Sequence, residues 1–162
     1  MFENLVECLT NLGEEIKEAY KDRLETEGIN ASGKLSNSVK AQVSVNGSVY
    51  EIVLQLEDYW KYIEKGRPST QNNGNGELRR AILEWIRVKP IIPQPYKGKL
   101  PTEEQLAYLI SRKIHRYGYE GKQPLYHTLE DMKDRIYEEI EQALAKDIST
   151  DIYNILRTIT AE

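Results

Sequence analysis

The chain of 162 residues contains one cysteine, one phenylalanine, two histidines and two methionines. The lone Cys8 excludes an intrachain disulfide and any cysteine-built zinc site. It flanks the apolar stripe of the first helical segment, where a small buried thiol is expected. His115 and His127 lack metal-ligand spacing, and no His-Glu-x-x-His pattern occurs. The glycines form neither a P-loop nor a dinucleotide fingerprint, so no phosphate cradle is indicated. No apolar run approaches the roughly 20 residues of a membrane span, and the acidic N-terminus is unlike a secretory signal. The expectation is a chain folded in a reducing cytoplasm, without cofactor, metal or membrane partner.

What is present fits one domain, 1–162, long enough to bury a core. The net charge is -4, which argues against a general nucleic-acid coat. Its distribution is uneven. Residues 1–30 carry 8 acids and 3 bases and residues 126–162 carry 9 and 4, so each end is -5, while residues 31–125 carry 15 bases and 9 acids, or +6. Acidic ends around a basic centre suit pairing within or between subunits; solvated faces of opposite sign are the plainer reading.

Phe2, Leu5, Leu9, Leu12, Ile16, Tyr20 and Leu24 recur at threes and fours and predict an amphipathic helix over 2–27, ended by Gly28. The turn-rich "NASGKLSNS" follows. "SVKAQVSVNGSVYEIVLQL" predicts a β-hairpin with a type I′ turn at Asn46-Gly47. Pairing Val45 with Ser48 then sets Val43 opposite Tyr50, Ala41 opposite Ile52 and Val39 opposite Leu54, all on one apolar face. Ser69 to Gly76 reads as a polar loop. Leu78, Ile82, Trp85 and Ile86 have helical spacing, and the four prolines of Pro90–Pro101 then exclude helix. Thr102 and Gln105 form a capping box for a helix that buries Leu106, Leu109, Ile110 and Ile114 and ends at Gly118 or Gly121. From Tyr126 a long helix buries Leu129, Met132, Ile136, Ile140, Leu144 and Ile148; its period either continues through Ile152, Ile155 and Ile159 or breaks at Ser149-Thr150. The fold class is α+β: an N-terminal helix, an antiparallel β-hairpin or small sheet, a helical insertion over about 76–118 and a long C-terminal helix.

Chemistry is sparse. Ser111 and His115 lie four residues apart on one helix, but no nucleophile elbow surrounds the serine, and an enzyme is not expected. Arg79, Arg80, Arg87, Lys89, Arg112, Lys113, Arg116 and Lys122 form a basic set able to touch phosphates or to face acidic helices of the same or a neighbouring subunit. The knot "EDYWKYIEKGRPS", Glu57–Ser69, reads as a short amphipathic segment with Tyr59, Tyr62 and Ile63 packed under the sheet. That leaves Trp60, with Arg67, as a candidate subunit contact.

Three landmarks occur in order: "ASGKLSNSV" (31–39) between a helix and a strand, "YWKYIEKGRP" (59–68) after the hairpin, and "KQPLYHTLEDMKDRI" (122–136) leading into the last helix. This order resembles the neck and tail-completion (head–tail joining, minor tail) proteins of tailed double-stranded DNA phages, over residues 1 to about 148. "AILEWIRVKPI" and "LAYLISRKIHRYG" look like the helical insertion of larger members. The second motif ends Gly66-Arg67-Pro68 where the family commonly has Gly-Thr, and Leu125-Tyr126-His127-Thr128-Leu129 stands where Phe-Leu-x-Pro-Ala is common. The resemblance implies a non-enzymatic virion protein assembled in the host cytoplasm. It also implies a homo-oligomeric ring, six- or twelve-fold, joining the capsid portal to the tail around the channel through which packaged DNA passes without sequence-specific binding. Trp60, Arg67, Arg79, Arg80, Arg112 and Arg116 are the candidate subunit-interface residues, and residues 149–162 are a candidate tail reaching a neighbour. An acidic lumen would let DNA slide. The alternative from the residues themselves is a nucleic-acid-binding regulatory protein using the basic middle segment.

Overall fold

The structure, a computed structural model, describes residues 2–29, 32–70, 76–89, 91, 93–95 and 98–160. Among them are α1 (Glu3–Thr26), α2 (Lys34–Ser38), β1 (Lys40–Asn46), β2 (Val49–Gln55), α3 (Trp60–Lys65), β3 (Gly66–Arg67), α4 (Glu77–Val88), α5 (Glu103–Tyr117), β4 (Tyr119–Glu120) and α6 (Pro124–Thr160). The architecture is the expected α+β. The expected polar loop falls largely on residues 71–75, outside those described.

α1 forms as its periodicity requires: Leu5, Leu9, Leu12, Ile16, Tyr20 and Leu24 are all buried on one face. That face lies against α6, which runs antiparallel to it. The N-terminus of α1 sits at Asp147 and its C-terminal turn at Thr128 and Asp131. The buried line on α6 is Thr128 and Ala143 with Asp147, while Met132, Ile136, Ile140 and Leu144 are half-buried beside it. Leu129 and Ile148, expected inside, are largely exposed, because the small residues Thr128 and Ala143 let the helices approach and rotate the seam toward themselves. α6 does not break at Ser149-Thr150. It is one helix of 37 residues, about 55 Å long at 1.5 Å per residue.

The hairpin also lies on α1. Gly13 is buried where a Cβ would meet Ala41 Cβ and Ile52 Cγ2 at 3.3 Å each, so the missing side chain sets how closely the sheet approaches. The observed register pairs Val45 with Tyr50, Val43 with Ile52 and Ala41 with Leu54, which corrects the expected one. The turn is Gly47-Ser48, with Gly47 at φ 63° and Ser48 outside the left-handed region. That is the pattern of a type II′ turn, which needs positive φ only at its first central residue, whereas Asn46 belongs to the strand. Moving the turn by one residue shifts every partner by two. Side chains alternate with period two, so the apolar face survived the error. Val39, expected opposite Leu54, precedes the strand and is buried with Tyr20, Leu24 and Leu35.

A second, smaller core joins α4 to α5. Ile82, Ile86 and Ala107 are buried there, with Leu78, Leu83, Ile91, Leu106, Ile110 and Ile114 packed around them. Ala107 centres the α5 face and the buried line continues through Ser111 and His115, so Leu109, expected inside, points outward. Trp85, expected with the buried residues of α4, is partly exposed. Thr102 caps α5 as foreseen: Gln105 N–H donates to Thr102 Oγ1 at 3.3 Å and Thr102 N–H donates to Gln105 Oε1 at 3.0 Å. Gly118 closes the helix. In the described part of 90–101 there is no helix.

Candidate assembly surfaces

The chain leaves the body after the aromatic knot and returns just before α6. These crossings are tied into a two-strand ribbon, with Gly66 paired to Glu120 and Arg67 to Tyr119. The ribbon is close enough that three glycines are obligatory. A Cβ on Gly66 would fall on the Tyr119 carbonyl oxygen, one on Gly118 on the Arg67 oxygen, and one on Gly121 on the Glu64 oxygen. Gly66 and Gly118 also have φ of 77° and 66°, where a side chain is strained. Sequence reading missed this ribbon; the glycines at 66, 118 and 121 flanking the insertion were the available signal.

Beside it, Glu64 is buried and accepts hydrogen bonds from the backbone N–H groups of Leu125 (3.0 Å) and Tyr126 (2.9 Å). Those are first-turn donors of α6 that the helix itself leaves unsatisfied. A carboxylate there also meets the positive end of the helix dipole. The Tyr-Ile-Glu-x-Gly and Pro-x-aromatic landmarks are thus two halves of one device. Asp147 does the same for α1, accepting from Asn4 N–H (3.1 Å), Asn4 Nδ2 (2.7 Å) and Leu5 N–H (2.9 Å). Burial opposes its ionisation, but these hydrogen bonds outweigh that and hold its pKa below the ordinary value. At the Cys8 thiol the balance is reversed: burial first, then Glu139, push the pKa up against Lys146.

The aromatic knot is oriented opposite to expectation. Trp60 packs with Ile63 and Leu56 against Tyr20, Leu24, Leu35 and Val39, whereas Tyr59 and Tyr62 are partly exposed. The segment therefore fastens the C-terminal end of α1 to α2, rather than underlying the sheet. A six-residue helix starting at Trp60 directs residues 60 and 63 to the same side; the chain direction entering that helix decided which side faces in.

The arginines are placed in several ways. Arg67 lies 5.6 Å over the exposed Tyr62 ring, Arg79 5.7 Å over Tyr108 and Arg116 6.0 Å over Tyr117. Arg80, Arg112 and Lys113 are exposed on α4 and α5. Part of the basic set is used internally. Arg87 pairs with Glu103 at 3.0 Å, while Lys89 and Lys122 donate to the Gly28 and Glu27 carbonyls at the end of α1, where the helix dipole is negative. Arg79 and Arg80 share the first turn of α4, and Arg112 and Arg116 share one face of α5; Trp60 is not with them.

Ser111 and His115 are both buried and do not bond one another among the described residues. The Ser111 hydroxyl donates to the Tyr108 carbonyl at 2.9 Å, and His115 Nδ1 lies 2.5 Å from Thr70 Oγ1 while its carbonyl accepts from Thr70 N–H at 2.7 Å. The histidine latches the insertion to the segment that leaves the ribbon. Among the described residues no cluster of His, Cys, Asp or Glu is disposed to hold a metal ion, and no helix is long and apolar enough to cross a membrane.

Two apolar surfaces are uncovered. Beyond Asp147, α6 overshoots the N-terminus of α1 by 13 residues, about 20 Å, and Ile148, Ile152, Ile155, Leu156 and Ile159 are each at least 49% exposed. On the insertion, Leu100, Tyr108 and Leu109 line an open groove of about 1000 Å³ with Arg79, Lys99 and Glu104. Isolated exposed leucines are ordinary on a protein surface, but contiguous patches mark contacts. The chain matches no family model, no curated protein and no solved structure.

Proposed function

We propose that this chain is a self-assembling structural protein of the phage neck, forming a ring of six or twelve copies between portal and tail, around the passage for DNA. The observation that carries the reading is the pair of uncovered apolar surfaces, different from one another and on different lobes. A ring requires a contact between unlike faces. The three landmark segments supply the resemblance that selects a neck protein among ring-formers, and two of them meet at Glu64 and the start of α6. Charge separation between lobes would set the register of neighbours, with apolar anchors supplying more of the affinity.

The test is the mass of the purified protein in solution, alone and with portal protein added. Discrete species of six or twelve subunits are expected in one or both conditions; a monomer in both defeats the reading. The nucleic-acid alternative is favoured by exposed Arg80, Arg112 and Lys113 and weakened by the internal use of Arg87, Lys89 and Lys122. It requires binding of DNA or RNA by the monomer with a steep negative slope of log K against log salt.

A further inference from the structure

We propose that the β1–β2 hairpin pairs edge to edge with the hairpin of a second copy of this chain, β2 of one copy beside β1 of the next. The inference rests on the self-assembly reading and uses a surface other than the two apolar ones. β1 and β2 are each seven residues long and pair only with one another. Among the described residues, no backbone group of 40–55 bonds outside that hairpin. The pair flanking a two-residue turn exchanges both its bonds, and the pattern alternates from there. Pairs counted by twos from Asn46–Val49 therefore bond inward. The N–H and C=O groups of Ala41, Val43 and Val45 on one edge, and of Tyr50, Ile52 and Leu54 on the other, point away from the partner strand. The usual guards of an open edge are scarce. The register has no bulge, neither strand contains proline, and the only charges are Lys40 at the start of β1 and Glu51 on β2. A two-stranded sheet is marginal by itself, and no side chain of either strand is fully buried, the row facing α1 included.

The geometry of the edges identifies the occupant. A backbone edge accepts a strand, and the other described strands, β3 and β4, are two residues long and already paired. With β1 of the next copy beside β2, the antiparallel alternation continues, and Ala41, Val43 and Val45 exchange bonds with Leu54, Ile52 and Tyr50. That register, and any shifted by two residues, keeps the rows facing α1 on one side of the joined sheet. Each copy advances the sheet by two strands, about 9.6 Å, which matches the separation of about 8–10 Å between packed helices. α1 is the helix that lies on the hairpin, so one helix per copy covers two strands. Like edges would pair about a two-fold axis and stop at a dimer, with one edge of each copy still open. Unlike edges propagate until the rotation closes, which removes every open edge.

The experiment reads amide hydrogen exchange, residue by residue, in the full-length protein when dispersed and when assembled, with and without portal protein. Assembly should slow the six outward amides, at 41, 43, 45, 50, 52 and 54, by roughly ten-fold or more. Val43→Pro removes one outward N–H without touching the ladder inside the hairpin, and should weaken self-association roughly ten-fold. Val43→Ala keeps that N–H and should assemble like the parent. If Val43→Pro melts earlier than the parent, Val45→Pro, nearer the turn, replaces it. Protection on one strand only would overturn the proposal in favour of like edges pairing. Assembly without slowed exchange at these amides, or assembly of the proline variant like the parent, would overturn it while leaving the self-assembly reading intact. Protection gained only in a complex holding a single copy would assign the edge to portal protein and overturn it as well. A parent that stays monomeric in every condition removes both.

Discussion

The body built from α1, the hairpin and α6 differs from the α4–α5 insertion in how each is held together. In the body, fully buried Leu12, Tyr20 and Leu24 lie in a seam more than five turns long, and carboxylates from other elements cap the first turns of both long helices. Among the described residues of the insertion, Ile82, Ile86 and Ala107 are the buried apolar ones, and Ser111 and His115 fill the rest of the α5 face. The insertion is held to the body by a four-residue ribbon, the Thr70–His115 latch and two lysines on the end of α1. Such a unit, with little buried apolar surface, opens at lower free energy than the protein as a whole. The difference separates a frame from an arm, and the arm carries the basic charge and the groove.

Deleting core atoms on each side is the strongest way to break that comparison. Leu24→Ala should cost about 4 kcal/mol and lower the single global melting transition. Ile86→Ala should cost about 2–3 kcal/mol, visible mainly as faster amide hydrogen exchange in α4 and α5 with the α1–α6 amides little changed. Equal acceleration in both helical pairs would show that the two cores unfold as one. Of similar size, Gly66→Ala forces a Cβ into the Tyr119 carbonyl at positive φ and should cost about 2–3 kcal/mol. Its exchange signature should centre on β3, β4 and the first turn of α6, joining the losses of arm and frame.

Acid sharpens the contrast from the other direction. Asp147 has a folded pKa below its ordinary value of 3.8. Its contribution is therefore fully present above about that value and is lost as pH falls through the lower folded pKa. The wild type should lose melting temperature between about pH 4 and pH 2 more steeply than Asp147→Asn, with the two curves converging at the acid end. Parallel curves would refute the role of Asp147 as an ionised cap. The smallest effect belongs to Tyr20. Its phenol is buried beside Glu64, its pKa is pushed up by burial and by the charges of Glu64 and Tyr59, and its oxygen is the buried side-chain polar atom without a partner among the described residues. Tyr20→Phe should leave stability unchanged or raise it by about 1 kcal/mol, since an unsatisfied hydroxyl is costly to bury. A clear loss by denaturant titration would mean that the hydroxyl has a partner.

Much of the frame was legible in the chain. The α1 stripe, the hairpin with its apolar face and the Thr102–Gln105 capping box each depend on residues a few positions apart, and local periodicity reports them directly. The expectations that failed share a cause. Gly47-Ser48 rather than Asn46-Gly47 made the turn, since both pairs satisfy a hairpin locally and the period-two alternation puts the same side chains on the apolar face in either register. Leu109 and Leu129 turned outward because Ala107 and Thr128 allowed closer helix contacts than a larger side chain would. Trp60 turned inward because the cavity left by Tyr20, Leu24, Leu35 and Val39 comes from segments up to 40 residues away. The candidate assembly surfaces were half legible. The arginines were visible as a set, yet their partners, Tyr62, Tyr108 and Tyr117 among them, depended on helix rotation.

By itself the sequence determined the long helices, the two hairpin strands with their apolar face and where the charge of each sign lies, because these follow from neighbours within a few residues. Only the tertiary structure decided that Glu64 and Asp147 would each cap a helix from another element, and that glycines 66, 118 and 121 would let two strands cross without side chains between them. The overshoot of α6 past α1 was likewise settled there. Whether an apolar stripe is core or surface depends on the length of the partner beside it, and the partner of Ile152, Ile155 and Ile159 stops short.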